Sequence, residues 1–367
     1  MTAPRDPRRF LLARPRGGLN DTLHQIELCL RHAETFDRTL VLDLSCSRGF
    51  RRFERFFQWK MPMAHVEADP STALFAELNG LPCRPAEVTG KLTEYRSRNT
   101  RFSDWRFINC LEGTAIPLSS DLSRDYPEPV LLHDSRRGGN VASGFLQRVT
   151  LEPALAREIV TNILSLGPDY AAIHIRHTDF RTNEWRSFLK SIRGDLRGRT
   201  VLLCSDNAEV IEGACLILNE TYIRTVTKIL KPDGRPLHHW TDGDQPAAIQ
   251  LQRNSLIDLF CLAAASDLFW TVEGQLQASG FSHLAGALCV DRALLASLLG
   301  GAPSSINPIA GQVHQVISWK TKALRWPRQA KQELKRLAWV AAKAADLRLG
   351  GINIRAKAPE PGAREPM

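Results

Sequence analysis

Short apolar runs alternate with helical periodicity along most of this chain. Phe10 to Ala13 and Thr39 to Leu44 are apolar runs of strand length, so they predict two buried strands. Between them, apolar residues recur at the spacing of an amphipathic helix that ends near Phe36, with Asn20 or Asp21 as its predicted cap. A strand, a glycine turn, a helix and a second strand make a βαβ unit, whose crossover makes the two strands parallel.

The second half of the chain repeats this alternation. The pattern over residues 47–126 is too weak to place elements, and 130–132 predicts one further strand. A helix is predicted over 151–166 with Thr150 as its cap, followed by a strand that begins at Tyr170. More strands are predicted at 201–204, 222–226 and 268–272, with helices between them. This alternation is typical of an α/β fold with parallel sheets.

The strand that begins at Tyr170 carries polar residues at its end, in the run YAAIHIRHTDF. Because side chains alternate along a strand, His174 and Arg176 leave one face while the isoleucines leave the other. An arginine cannot be deprotonated, so Arg176 must find an anion or reach water. It could pair with a structural carboxylate such as Asp179, or bind an anionic ligand at the carboxyl end of the strand.

Polar residues also follow the neighbouring predicted strands. Asp206 comes directly after the strand at 201–204, and Ser279, Gly280 and Ser282 open the helix after the strand at 268–272. A helix start of this kind offers backbone N–H groups, hydroxyls and the positive end of the helix dipole, which suit phosphate. It is equally a good structural cap. If the strands are parallel neighbours, Arg176, Asp206 and Ser282 converge on one edge of the sheet.

Two further features leave both a structural and a functional interpretation open. Asp258 is the only acidic residue in the apolar run LIDLFCLAAA, where a carboxyl group needs a partner, either the backbone or the N–H groups of a ligand. The Gly17-Gly18 turn could let the backbone approach a substrate, or serve only as the tight turn of the βαβ unit. It lacks the spacing of dinucleotide and P-loop motifs, so neither a nicotinamide cofactor nor a P-loop is expected.

Composition narrows the class of protein. A length of 367 residues favours two domains, and the hydrophobic and charged fractions of 43% and 24% are ordinary for a globular protein. No signal peptide and no membrane span are predicted. The eight cysteines stand singly without a C-x-x-C pair, as packed, reduced thiols of a cytoplasmic protein do. Metal sites are not predicted.

The net charge of +9 is concentrated in the carboxyl-terminal tail. Between Lys320 and Lys357 there are eleven basic and two acidic residues, so the rest of the chain is nearly neutral. A nucleic-acid partner is therefore not expected. Residues 328–349 predict a basic amphipathic helix, which could lie on the inner membrane face or dock on its own protein.

Several segments together resemble one enzyme family. HIRHTDF resembles the H-x-R-R-x-D motif of the fucosyltransferase superfamily that includes the rhizobial nodulation protein Z and the animal core-fucosylation enzymes. VLLCSDN is similar to its second motif, and LIDLFCLAAASDLFWTV with SGFSHLAGAL is similar to its third. GGLNDTLHQIELCLRHAETFDRTLVLD looks like the opening βαβ unit of the family. His177 stands where the animal enzymes have a second arginine, and the segment VEGQLQAS is longer than its counterpart there.

The resemblance implies a GT-B architecture of two Rossmann-like domains facing a cleft, with a GDP-sugar as co-substrate and no metal or other cofactor. Residues 1–166 would form the acceptor-binding domain, 167–310 the nucleotide-sugar domain, and 311–367 a basic helical tail. Arg176 would bind the β-phosphate, while His174 and Asp258 would contact guanine. The remaining implied donor contacts are His177, Asp179, Asp206, Ser279, Gly280 and Ser282, and the first domain would contribute Gly17, Gly18, Asn20 and Asp21.

The predicted function is transfer of a sugar, fucose by resemblance, from a GDP-sugar to a glycan or glycoconjugate acceptor. Asp21, His24 and Glu27 on the first helix are candidates for the general base, although a helix-surface role is the simpler interpretation. The alternative is a non-catalytic protein of the same fold that binds a nucleotide or a partner and is tethered by its tail.

Overall fold

The computed structural model describes residues 8–47, 50–63, 65–93, 100–103, 106–109, 116–135, 138–177, 184–229, 246–271, 279–301 and 311–316. Asp179 and residues 317–367 lie outside these residues, whereas Gln312–Val316, predicted as the start of the helical tail, form a strand that pairs with Asp267–Thr271. Met1–Ser318 form one compact unit, and the described structure lies within it.

The described residues form fifteen strands. In chain order they are β1 (Phe10–Pro15), β2 (Thr39–Leu42), β3 (Phe57–Trp59), β4 (Val66–Ala68), β5 (Cys83–Arg84), β6 (Thr100–Ser103), β7 (Arg106–Asn109), β8 (Ile116–Pro117), β9 (Val130–Ser135), β10 (Val149–Leu151), β11 (Ala171–Ile175), β12 (Thr200–Ser205), β13 (Tyr222–Arg224), β14 (Asp267–Thr271) and β15 (Gln312–Val316).

Nine α-helices are found among the described residues. They are α1 (Leu19–Thr35), α2 (Thr72–Asn79), α3 (Ala142–Arg148), α4 (Pro153–Leu166), α5 (Trp185–Leu196), α6 (Ala208–Ile217), α7 (Pro246–Ala264), α8 (Gly280–Val290) and α9 (Arg292–Leu298).

The first sheet is parallel and has the strand order β4-β2-β1-β9-β5. β1 is buried along its whole length, as expected for a central strand covered on both faces. We call this sheet with α1, α2 and α3 the first lobe. The predicted βαβ unit is confirmed, because β1 and β2 run parallel with α1 between them.

The start of α1 differs from the prediction. Gly18 is the N-cap, and Asp21 lies at the third helical position, where its carboxylate accepts a hydrogen bond from the Gly18 N–H at 3.4 Å. Gly17 precedes the helix with φ of 105°, a left-handed conformation that glycine adopts without a steric cost. The positive φ sharpens the turn, so the helix begins earlier than a cap at Asn20 or Asp21 would allow.

The second sheet is also parallel, with the order β13-β12-β11-β14-β15. β11 is central, and Ala171 pairs with both Val201 and Asp267. One face of β11 packs Ile173 and Ile175 into a cluster with α5 and α6. We call this sheet with α4 to α9 the second lobe.

The N-cap of α4 lies two residues later in the chain than predicted. Glu152 is its N-cap and accepts hydrogen bonds from the N–H groups of Ala154 and Leu155, both at 2.9 Å. Thr150 instead belongs to β10, which pairs with β3 in an antiparallel ladder. The carboxylate of Glu152 reaches two N–H groups, so it satisfies more of the helix start than one threonine hydroxyl would.

One hydrophobic core extends through both lobes. It includes Leu23 and Ile26 of α1 together with Leu256 of α7 and Leu284 of α8. Arg253 of α7 also pairs with Glu158 of α4, with its Nε 2.8 Å from the carboxylate. This shared core explains why the two sheets belong to one compact unit.

No single helix among the described residues is both long and apolar enough to cross a membrane. The helices α8 and α9 satisfy that length and composition test only when taken together, and they are bent by 101°.

Candidate functional site

The carboxyl end of β11 is joined to the start of α8 by a direct side-chain contact. His174 Nδ1 lies 2.7 Å from Ser282 Oγ, and the His174 ring packs against Phe281 with centroids 5.0 Å apart. Burial, with a smaller effect of the Arg176 charge, lowers the pKa of His174 to about 3. The imidazole is therefore neutral at physiological pH and acts as a hydrogen-bonding group. The predicted convergence of these two segments is observed.

The start of α8 is built from buried polar residues. Ser279 is the N-cap, and its hydroxyl accepts a hydrogen bond from the Phe281 N–H at 3.2 Å. Ser279 and Ser282 are both buried. An α-helix leaves its first N–H groups without intrahelical partners and carries a partial positive charge there. This end of α8 can accept an anion beside the carboxyl end of β11.

Asp206 ties the ends of β11 and β12 together. Its carboxylate accepts a hydrogen bond from the backbone N–H of His177 at 2.7 Å. Arg176 immediately precedes His177 and is partly buried. The structure thus brings Arg176, Asp206 and Ser282 to one edge of the second sheet, as the parallel arrangement of their strands requires.

The side chain of His177 packs on the opposite face of β11 from His174. Its ring meets Trp185 of α5 edge-on, with centroids 6.2 Å apart. Trp185 belongs to the cluster that contains Ile173 and Ile175. Within the described residues, His177 Nδ1 is buried without a hydrogen-bond partner. Its predicted contact with the donor stays a prediction, and the ring packing indicates a link between β11 and α5.

Asp258 of α7 contributes its carboxyl group to a pocket at the end of β12. Both carboxyl oxygens lie near the Thr227 hydroxyl, at 2.9 and 3.0 Å. Burial raises the pKa of Asp258 to about 7, although hydrogen bonds from Thr227 and Cys204 act in the opposite direction. Other residues that line this pocket are Ser205, Asp206, Lys228, Asn254 and Ser255.

The polar side of α1 is buried, contrary to the helix-surface role expected for His24 and Glu27. Glu27 accepts hydrogen bonds from Arg31 Nε at 2.7 Å and Arg148 Nε at 3.2 Å, so its carboxylate belongs to an ion-pair network between α1 and α3. His24 accepts a hydrogen bond from the Val141 N–H at 3.4 Å. The helix α3 covers this second face of α1, which a single amphipathic stripe does not reveal.

Asn20 brings α1 to the start of α8. Its Nδ2 donates a hydrogen bond to the Gly139 carbonyl at 3.2 Å. A Cβ atom added to Gly280 would lie 2.8 Å from Asn20 Nδ2 and 3.2 Å from Asn20 Cβ. Gly280 is therefore required for close approach of the two helices, beside the contact between His174 and Ser282.

Replacing Gly280 with alanine is expected to destabilise the protein by about 1–3 kcal/mol, because the new methyl group overpacks this contact. Thermal unfolding measures this loss as a lower melting temperature. Gly194→Ala is the matched control, since a Cβ there meets nothing within 4 Å, and it should be neutral or slightly stabilising. Equal melting temperatures for the two variants would contradict the close contact.

The sequence did not single out two buried ion pairs at the carboxyl edge of the first sheet. Arg14 Nε donates to Asp43 at 3.0 Å, and Arg16 binds both carboxyl oxygens of Asp134 at 2.6 Å. Burial raises the pKa of Asp134, although the Arg16 charge opposes this. The available signal was a charged residue at or directly after each apolar run of the first sheet.

Metal-ligating residues do not cluster in the part of the chain that the structure describes. No group of three or more His, Cys, Asp or Glu side chains is placed there to hold an ion.

Known proteins match this chain in structure but not in sequence. No family model matches the sequence, and no curated protein matches it. The structure matches NodZ alpha-1,6-fucosyltransferase co-crystallized with GDP at a TM-score of 0.53 and 18% identity, covering 77% of this chain and 92% of that chain. The chain has a fucosyltransferase-like fold. NodZ soaked with GDP-fucose gives the same values, and fucosyltransferase NodZ from Bradyrhizobium gives a TM-score of 0.53 at 17% identity, covering 77% and 93%.

The fucosyltransferase-like fold confirms the predicted α/β, GT-B-like fold class. At this identity the likeness concerns the fold, and the residues that would carry an activity must be argued from the site itself.

Proposed function

We propose that this chain is a glycosyltransferase that transfers a sugar, fucose, from a GDP-sugar donor to a glycan or glycoconjugate acceptor. The observation that carries the proposal is the 2.7 Å contact between His174 Nδ1 and Ser282 Oγ. It fixes the start of α8 beside the end of β11, where Arg176 stands. A guanidinium and a helix N-terminus at one sheet edge suit a diphosphate group.

The proposed reaction breaks the bond between the sugar and the diphosphate. Negative charge grows on the departing phosphate while positive charge develops on the sugar carbon, so stabilising the leaving group lowers the barrier. Arg176 would bind the β-phosphate through two N–H groups, and the first N–H groups of α8 would contribute their dipoles. No metal is assigned a role in this proposal.

We assign the nucleobase of such a donor to the pocket of Asp258. Its pocket opens at the end of β12, next to Asp206. A carboxylate can accept two parallel N–H groups, which matches the edge of guanine. Asp258 therefore supports the choice of GDP over UDP, whose base lacks that pair of donors.

The geometry of α1 leaves two of the three candidate general bases. Glu27 is held by two arginines, so a proton acceptor role would require breaking an ion-pair network. Asp21 and His24 remain as candidates, and Asp21 is the more exposed of the two. Both lie on the same helix as Asn20, which contacts the start of α8.

A thermal-shift panel tests the donor. GDP and GDP-fucose should raise the melting temperature, while UDP, ADP and their sugars should not, since a ligand at about 100 times its Kd stabilises by about 2.7 kcal/mol. GDP release from GDP-fucose, measured with and without glycan acceptors, then tests catalysis. Binding without GDP release would favour the non-catalytic alternative, and no shift with any guanine nucleotide would contradict the proposal.

A further inference from the structure

Among the described residues, the carboxyl group of Asp258 has few hydrogen-bond donors for an ionised acid. The Thr227 hydroxyl lies 2.9 and 3.0 Å from its two oxygens, but a hydroxyl has one hydrogen and serves one oxygen at a time. Cys204 adds a thiol, which is a weak donor. A carboxylate has about four acceptor positions, and the part of the chain that the structure describes leaves most of them unused.

No cation compensates this charge among the described residues. Lys228 lines the pocket without forming an ion pair with Asp258, and Asp206 lines the same pocket with a charge of the same sign. The thiols that face the carboxyl group, Cys204 of β12 and Cys261 of α7, are held in the neutral form because burial raises their pKa. The described surroundings thus leave the ionised form of Asp258 poorly stabilised.

Asp258 consequently lies near the midpoint of its titration at neutral pH. Burial raises its pKa from 3.8 to about 7. His174, which also lies at this edge of the sheet, stays neutral through this range because burial lowers its pKa to about 3. A ligand that brings new N–H donors to the Asp258 oxygens would change this balance.

We propose that binding of the donor's guanine base is coupled to release of one proton from Asp258, so that donor affinity and guanine selectivity both rise with pH. This inference rests on the proposed function. The carboxylic acid loses its proton to solvent, and the resulting carboxylate accepts the N1–H and the 2-amino N–H of guanine. The acid form carries a hydrogen on one oxygen and cannot accept both.

The selectivity follows from the number of donors on the base. Hypoxanthine has the N1–H but lacks the 2-amino group, so it leaves one carboxylate oxygen without that partner. A buried acceptor that loses its partner costs more than the missing contact alone. The preference for GDP over IDP should therefore be larger above neutral pH than below it.

Titration calorimetry with GDP-fucose tests the coupling, because its diphosphate carries no proton that titrates in this range. Affinity should fall about tenfold per pH unit below the midpoint, or roughly thirtyfold between about pH 8.5 and pH 5.5. Binding heats in buffers of different ionisation enthalpy should report close to one proton released at acidic pH and close to none at about pH 8.5. The GDP to IDP affinity ratio, measured at each pH, cancels the titration of their phosphates.

Two variants test whether the released proton comes from Asp258. Asp258→Asn should bind GDP-fucose weakly, with an affinity that no longer changes with pH and little preference for GDP over IDP. Thr227→Val removes a donor that favours the ionised form, so the midpoint of the pH dependence should move upward. The melting temperature of each variant reports that it is folded.

The outcomes separate the two proposals. GDP-fucose binding that is independent of pH in the native protein, or that keeps its pH dependence in Asp258→Asn, would overturn the proton coupling and leave the donor assignment standing. The absence of GDP-fucose binding at every pH would overturn the proposed function and the coupling with it.

Discussion

Replacing Arg176 with alanine is expected to lower kcat for the proposed transfer from GDP-fucose by a hundredfold or more, which corresponds to about 3 kcal/mol of lost transition-state stabilisation. The guanidinium stands at the carboxyl end of β11, beside the start of α8 that His174 and Ser282 hold in place. Charge on the leaving phosphate is larger in the transition state than in the bound donor. The loss should therefore be greater in kcat than in donor affinity.

Arg176→Lys is the informative companion to this variant. Lysine keeps the positive charge but cannot grip phosphate with two N–H groups, so it should recover only part of the lost rate. Steady-state kinetics and calorimetry on the same preparations separate turnover from binding. If the alanine variant retained a kcat within a few fold of the native value, Arg176 would have a structural role instead.

Replacing Arg16 with methionine is expected to destabilise the protein by about 3–5 kcal/mol at neutral pH. Asp134 is fully buried, and Arg16 binds both of its oxygens at 2.6 Å. Removing the guanidinium leaves a carboxylate in the core without its counter-charge. In urea unfolding, the midpoint concentration should fall while the m value stays the same, which reports a loss of stability.

The sign of the pH dependence follows from Asp134. Burial already raises its pKa in the folded protein, and loss of Arg16 raises it further. A group whose folded pKa is raised takes up protons on folding between the unfolded and folded values, so stability falls as pH rises through that window. The deficit of Arg16→Met should accordingly shrink in mild acid.

Two further variants make this result specific to the buried pair. Asp134→Asn in the Arg16→Met background removes the stranded charge, so it should recover part of the stability. Arg193→Met breaks the exposed pair with Glu220 and should cost less than about 1 kcal/mol. Equal losses of stability in Arg16→Met and Arg193→Met would show that burial does not increase the contribution of the Arg16–Asp134 pair.

The sequence predicts the parts of this fold that have a clear period. The strands β1, β11, β12 and β14 are apolar runs, and α1 has the spacing of a helix, so all five elements are found, although α1 begins earlier than expected. The convergence of Arg176, Asp206 and Ser282 follows from the same pattern, because parallel neighbours place their carboxyl ends at one edge.

The features that the sequence does not predict depend on contacts between distant segments. Glu27 is buried because α3 covers a second face of α1 and Arg148 supplies a counter-charge. His177 follows the same strand as Arg176 but packs on Trp185, which belongs to a separate helix. Local periodicity assigns the short strand β10 to the start of a helix, because its partner β3 is distant in the chain. These contacts are invisible to local periodicity.

The order of strands in the second sheet has a consequence for synthesis on the ribosome. His174 and Ser282 are 108 residues apart in the chain, and β14 must join β11 before they can meet. The first sheet, in contrast, is complete once β9 and its neighbours have emerged. A nascent chain can therefore form its first sheet while the edge that would receive the donor is still being translated, and that edge would be acquired last.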